Sequence, residues 1–202
     1  MEEIILIGGG GHALSIADSI EARGEYRIIG YTDFAQGDCY LPYLGTDEQL
    51  EHFYRMGVHN VAVGIGYMGN SLTRDKIYRY VKQIGFKMPS IIDPTSIVSP
   101  RCVIGEGSFI GKGACINTGA RIGKMCIINT SSIIEHNAVI NDFTHVAVGT
   151  SICGDVTVSN HVFIGANATV IQGVSIGDSS IIGAGSIVLH NVPSGVTAYG
   201  IV

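Results

Sequence analysis

The chain has 202 residues, of which 46% are hydrophobic and 14% charged, with 28 glycines, five cysteines and no tryptophan. Its formal net charge of −5 argues against nucleic acid or an anionic membrane as a partner, and no basic run or cluster of stacking aromatics opposes that reading. No stretch reaches the roughly 18 apolar residues of a membrane span, and the MEEIILIGGGG start carries acid where a secretory signal carries base, so no membrane insertion and a cytoplasmic location are expected.

The first part of the chain alternates strand and helix signals. Ile4–Ile7 reads as a buried strand, followed by the loop Gly8–Gly11. His12 to Arg23 has helical spacing, and Gly24 is placed to end that helix. Arg27–Tyr31 reads as a second strand that runs up to Asp33. Thr46 is a candidate cap for a helix from Asp47 to about Met56. Val61–Ile65 reads as a third strand, Ser71 to about Ile84 as a helix ended by Gly85, and Met88–Ile92 as a last strand. This alternation predicts a small, parallel, Rossmann-like α/β domain over residues 1–93. Asp93-Pro94 then serves as the hinge, because proline disfavours helix in the residue before it.

Gly8, Gly10 and Ala13 satisfy G-x-G-x-x-G/A between a strand and a helix, and Asp33 follows at the distance of a ribose-binding acid. The unit lacks a second mononucleotide half, so NAD is the weaker reading. Open N–H groups at a helix start, with glycines that allow close approach, suit a nucleotide diphosphate. His12 is placed to donate to a phosphate.

From Val98 to Val188 every sixth residue is Ile or Val, sixteen times without a break. Four positions after each stands a residue no larger than Val, from Cys102 through Ala114 and Thr144 to Ser186. Neither a helix nor an isolated strand has this period; a six-residue repeat marks a parallel β-helix over residues 94–202, one side of a coil per hexad. The cysteines (39, 102, 115, 126 and 153) show no C-x-x-C spacing, and Cys102 and Cys126 occupy small inward positions, so free thiols are expected.

Three hexads make a coil, so residues 18 apart share a column. His136 shares one with Gly154, Gln172 and His190; His145 shares another with Ile127, Phe163 and Ile181. His136 and His145 are nine apart, half a coil, and would meet only between subunits. A zinc site of the γ-carbonic anhydrase kind needs close histidine pairs, and the spacings of 9, 16 and 29 do not supply them; no metal is expected. Acyl transfer with a histidine base fits better. His136 is the candidate base, with Glu135 beside it.

The hexads resemble the hexapeptide-repeat acyltransferases, whose β-helix is left-handed. The GGGGH start, Tyr31-Thr32-Asp33-Phe34, Gly64-Ile65-Gly66 and the run Ser131 to His136 are similar to the sialic-acid O-acyltransferase-like branch of sugar acetyltransferases. That branch includes the UDP-4-amino-sugar N-acetyltransferases of bacillosamine-type glycan pathways. The resemblance implies a cytoplasmic homotrimer that uses acetyl-CoA to acetylate the amine of a UDP-amino sugar. It implies His136 as catalytic base, with Glu135 or no residue orienting it. It places His145 near the acetyl-CoA thioester and Ala166 and Ala184 as main-chain contacts to CoA. Gly10, Gly11, His12, Thr32 and Asp33 match the UDP-sugar site. Ala166 and Ala184 are also 18 apart, so a pantetheine arm along the axis would meet them in turn. Two departures stand out: Asn137 replaces the acid that follows the histidine in bacillosamine-type enzymes, and the sequence reaches Val202 where the family continues with a Pro-Ala-basic tail. O-acetylation of a sialic acid or another sugar is the alternative, and a non-catalytic trimeric solenoid is a more distant one.

Overall fold

The apolar run at the start forms β1 (Glu2–Ile7) in a computed structural model that describes residues 1–69 and 72–202. Ile4 to Ile7 are all 0% exposed, because β1 is the middle strand of a parallel sheet. Its neighbours are β2 (Tyr26–Thr32) and β3 (Asn60–Val63), giving the order β2-β1-β3. A strand buried on both faces needs a continuous apolar run, and this one has it. Helix α1 (Gly11–Arg23) buries Ala13, Ile16, Ala17 and Ile20, and stops at Gly24, which takes φ 67° and returns its N–H to the Ile20 carbonyl at 2.9 Å.

The remaining elements of this unit are shorter than their sequence signals. Thr46 gives no side-chain cap; a 3₁₀ turn, Asp47–Gln49, comes first, and α2 covers only Leu50–Arg55. Strand β3 stops at Val63 because Gly64 presses against α1: a Cβ there would lie 2.7 Å from the Ala13 Cα. Helix α3 runs Thr73–Ile84 and ends at Gly85; the expected start at Ser71 lies outside the described residues. Of the expected strand Met88–Ile92 only Ile91–Ile92, β4, is extended in a ladder. Before it, Lys87 makes an isolated bridge to Asn60.

Two compact units account for the described residues. One is Met1–Gly66 with Leu72–Pro94; the other is Tyr67–Gly69 with Thr95–Val202. In the second unit the hexads become sixteen two-residue strands, Ile97–Val98 to Ile187–Val188, each ending on an Ile or Val of the ladder. A further pair, Thr197–Ala198, closes the series. The strands form three parallel sheets with an 18-residue step, as in Ile127↔His145↔Phe163↔Ile181. From Ile110 on, the ladder side chains are essentially fully buried.

The small positions point inward too, and their hydroxyls are satisfied there. Ser108, Thr144, Thr150 and Ser180 donate to main-chain carbonyls of the following coil at 2.7–3.0 Å. A buried hydroxyl without such a partner would cost stability. Three residues after each ladder position from Ile104 to Ile182 the backbone turns left-handed. Glycine fills six of these turns between residues 107 and 185, but Met125, Ser131, Asn137, Phe143, Asp155, His161, Asn167 and Ser179 adopt the same φ of 56–59°. The cysteines are free, and burial pushes the Cys102 thiol up, which keeps it neutral.

Ile140 sits at 0% exposure in the middle of this stack. Ile140→Ala is expected to lower unfolding free energy by about 2–5 kcal/mol, the usual cost of such a cavity, as read by chemical denaturation.

Candidate functional site

In the α/β unit the glycine loop is fixed by what surrounds it. A Cβ on Gly9 would fall on the Tyr31 ring, 2.8 Å from its Cδ2, whereas Gly10 and Gly11 face open space. The Gly9 N–H donates to Asp33 Oδ2 at 2.8 Å and the Phe34 N–H to Asp33 Oδ1 at 2.7 Å, so one carboxylate joins the loop to the end of β2. Gly10 is the α1 N-cap; it offers no side-chain cap, and the first turn holds no acid. The helix start therefore presents N–H groups and the positive end of its dipole to whatever approaches Gly10 and Gly11. His12 stands half-buried in that first turn.

Thr32, at the end of β2, is one of the residues around the cavity beside the glycine loop. It is 0% exposed, and its hydroxyl donates to Asp47 Oδ1 at 2.6 Å. Its influence passes through Asp47, which the sequence reading did not single out. Asp33, Asp47, Lys76 and the apolar side chains of Ile7, Ile65 and Ile77 line a cavity of about 230 Å³, with Phe34 at the same site. Arg74, buried on α3, shapes one wall: its guanidinium donates to the Ile65 carbonyl at 2.5 Å, which holds the segment after β3. Two larger hollows, about 270 and 380 Å³, lie away from the glycine loop, beside Tyr54 and Tyr80 and beside Met1 and Lys87.

On the solenoid, His136 lies in the turn after Ile133–Ile134, half-buried. Its ring rests on Gly154 in the next coil, where a Cβ would come 2.6 Å from Nε2. Only glycine leaves room for the imidazole. Glu135 does not orient that ring: its Oε2 accepts the His136 backbone N–H at 3.1 Å and the Asn117 amide at 3.0 Å. The group nearest Nδ1 is the Asn137 amide nitrogen, at 3.5 Å. Asn137 in turn donates to Asp155 Oδ1 at 3.1 Å, and Gln172 donates to Asp155 Oδ2 at 3.3 Å. The departure at 137 thus has a carboxylate behind it, one coil on.

His145 stands on another sheet, in strand His145–Val146, and one chain does not bring it to His136. Its Nδ1 meets the Tyr67 carbonyl at 2.5 Å, so Nδ1 carries the proton; Nε2 is then the acceptor, and the Asn129 amide is 3.3 Å from it. Tyr67 donates its own hydroxyl to the His161 carbonyl at 2.7 Å. Neither Tyr67 nor Asn129 carries a signal in the sequence that points to His145. Ala166 and Ala184 occupy one column, with the Ala166 carbonyl accepting the Gly185 N–H at 2.8 Å. Their small side chains leave the main chain approachable along the solenoid axis. Among the described residues, no three His, Cys, Asp or Glu side chains gather as metal ligands do, and no helix is long and apolar enough to cross a membrane.

Residues 3–81 match the PglD N-terminal domain family. Residues 101–135 match the hexapeptide repeat of succinyl-transferase, and residues 155–190 the bacterial transferase hexapeptide. A mutant perosamine N-acetyltransferase from Caulobacter crescentus, in complex with CoA and GDP-perosamine, is similar over 99% of this chain and 94% of its own, with 32% identity and a TM-score of 0.93. The acetyltransferase domain of PglB from Neisseria gonorrhoeae, in complex with acetyl coenzyme A, is 28% identical over 98% of this chain and 96% of its own, with a TM-score of 0.91. Among curated sequences, galactoside O-acetyltransferase from Escherichia coli is 48% identical over 46 residues, which is 23% of either protein. The chain thus spans about a quarter of that relative's length.

The two kinds of glycine are separable by mutation. Gly9→Ala is expected to lower stability by about 1–3 kcal/mol, as overpacking does, while Gly10→Ala and Gly11→Ala leave the melting temperature nearly unchanged; thermal denaturation of the three variants checks this.

Proposed function

For a chain that belongs to the left-handed β-helix, hexapeptide-repeat sugar acetyltransferases with a PglD-type N-terminal domain, we propose transfer of an acetyl group from acetyl-CoA to the amine of a nucleotide-linked sugar. The observation that carries this is likeness over essentially the whole chain, both units included, to a perosamine N-acetyltransferase at 32% identity. The glycine loop and the cavity bounded by Asp33 and Asp47 hold the nucleotide diphosphate, its phosphates against the α1 N-terminus and His12. The resemblance in sequence points to a 4-amino sugar of surface glycan synthesis, UDP-linked in the bacillosamine-type members. Ala166 and Ala184 receive the pantetheine arm, and His145 stands near the thioester. The enzyme works as a homotrimer, which is how His136 and His145 come to serve one site.

The sugar amine attacks the thioester carbonyl carbon. His136 takes the amine proton, the tetrahedral intermediate collapses with cleavage of the C–S bond, and CoA leaves as the thiol after gaining a proton. No metal enters this sequence. Gly154 matters because it keeps the imidazole seated.

The 3.5 Å approach of the Asn137 amide nitrogen to Nδ1 favours a second reading of the same residue. If Nδ1 accepts from Asn137, Nε2 keeps its proton, and His136 donates to the thioester oxygen rather than acting as base. His136→Asn separates the two, since an amide can donate but cannot serve as a base. As base, His136→Ala and His136→Asn both lower turnover by about 10²–10⁴ without lowering the melting temperature. As donor, the Asn variant retains most of the rate that the Ala variant loses. CoA release measured with purified variants gives the answer. The same assay with amino sugars against sialic acids tests nitrogen against oxygen: release only with hydroxyl acceptors would move the reading to O-acetylation, and release with neither would end it.

A further inference from the structure

Two features of the α/β cavity extend the nucleotide-sugar reading, on which they rest. The first is Phe34, which is 91% exposed, more than any other large apolar side chain among the described residues, and stands at the edge of the cavity. An aromatic face left in water beside a ligand pocket is a stacking surface for a planar ring. It follows Asp33 directly, and its own N–H is held by that carboxylate, so the backbone that carries the ring is fixed.

The second is Asp47. Asp33 already receives the Gly9 and Phe34 N–H groups, one on each oxygen. Asp47 is engaged differently: the buried Thr32 hydroxyl holds Oδ1, and among the described residues no donor reaches Oδ2. The cavity therefore contains a half-exposed carboxylate whose direction is set from behind, between apolar walls formed by Ile7, Ile65 and Ile77. An ionised carboxylate offers acceptors only. Guanine presents N1–H and the N2 amino group side by side, and a carboxylate accepts such a pair with both oxygens. Uracil presents a single N–H between two carbonyls, which a carboxylate repels. Adenine presents one amino group beside an acceptor. Lys76 lines the same cavity and supplies the cation that the guanine O6 or a phosphate calls for.

We propose that Phe34 and Asp47 form the nucleobase subsite, Phe34 against the face of the ring and Asp47 on its edge, and that the base is guanine. The acceptor is then a guanosine-diphosphate amino sugar, in place of the uridine-linked one that the sequence resemblance implies.

The test is isothermal titration of the intact protein with GDP, IDP and UDP at one fixed salt concentration. GDP is expected to bind at least about tenfold tighter than UDP, the scale of one bidentate pair. IDP, which lacks the 2-amino group, falls between them. Phe34→Ala, at an exposed position, weakens all three by about tenfold. Asp47→Asn weakens GDP and relieves the repulsion of uracil, so the preference for GDP collapses from both sides. If Asp47→Asn fails to fold, the GDP-to-IDP ratio of the unaltered protein gives the same information. UDP binding as tightly as GDP, or IDP equal to GDP, overturns the guanine subsite while leaving the nucleotide-sugar reading in place. Binding of none of the three overturns the nucleotide-sugar reading itself.

Discussion

The inter-coil hydrogen bond is the constraint on which the second unit depends. From Ile97 to Thr169 the N–H of each strand's first residue reaches the carbonyl of a residue 17 further on, as in Ile127 to Thr144 and His145 to Val162, both at 2.9 Å. These bonds fix the 18-residue register, and the register decides which side chains can touch. The Ile and Val ladder fills the interior because β-branched side chains suit a narrow pleated wall. The alternate small residues keep that interior narrow, and their hydroxyls cross-link one coil to the next. What is left outside that interior are turn residues such as His136, Asn137 and Asp155, and outward strand residues such as His145.

The solenoid was largely legible in the sequence because its signal is repetitive and local. A six-residue period that recurs without a break leaves few alternatives, and the strands fall at the positions the ladder marks. The columns were legible too: Gly154 lies against His136 as the 18-residue step requires. The α/β unit was harder. Its strands announce themselves through buried Ile and Val, but their ends do not. Val63 ends β3 because Gly64 must fit against Ala13, a contact between residues far apart in sequence. Thr46 likewise precedes a 3₁₀ turn, not α2 itself, and makes no side-chain cap.

Side-chain partnerships were the least legible part. Glu135 stands next to His136 in sequence, yet turns to the backbone and to Asn117. The 18-residue step is the better guide: Asp155 is one step from Asn137 and touches it. Thr32 shows another partnership that no neighbour in sequence announces: its hydroxyl is buried and bonded to Asp47. Asp47 had no motif to mark it, because its position depends on the chain between β2 and α2 folding back over the strand end.

The hydrogen bonds of Tyr67 also bear on the order in which the chain folds. Tyr67 is 78 residues from His145 and 94 from His161, and it is bonded to both. Such a segment cannot seat until the coils that carry its partners have wound, and closing so long a loop is an entropic cost met late. Winding itself proceeds between neighbours, one coil upon the last. Assembly of this unit therefore has a local part, set by the ladder, and a non-local one, set by the segment in which Tyr67 makes these bonds and Gly69 packs against Ile181. The imidazole of His145 acquires its fixed tautomer only in the second part, so the geometry around that residue is among the last things the chain completes.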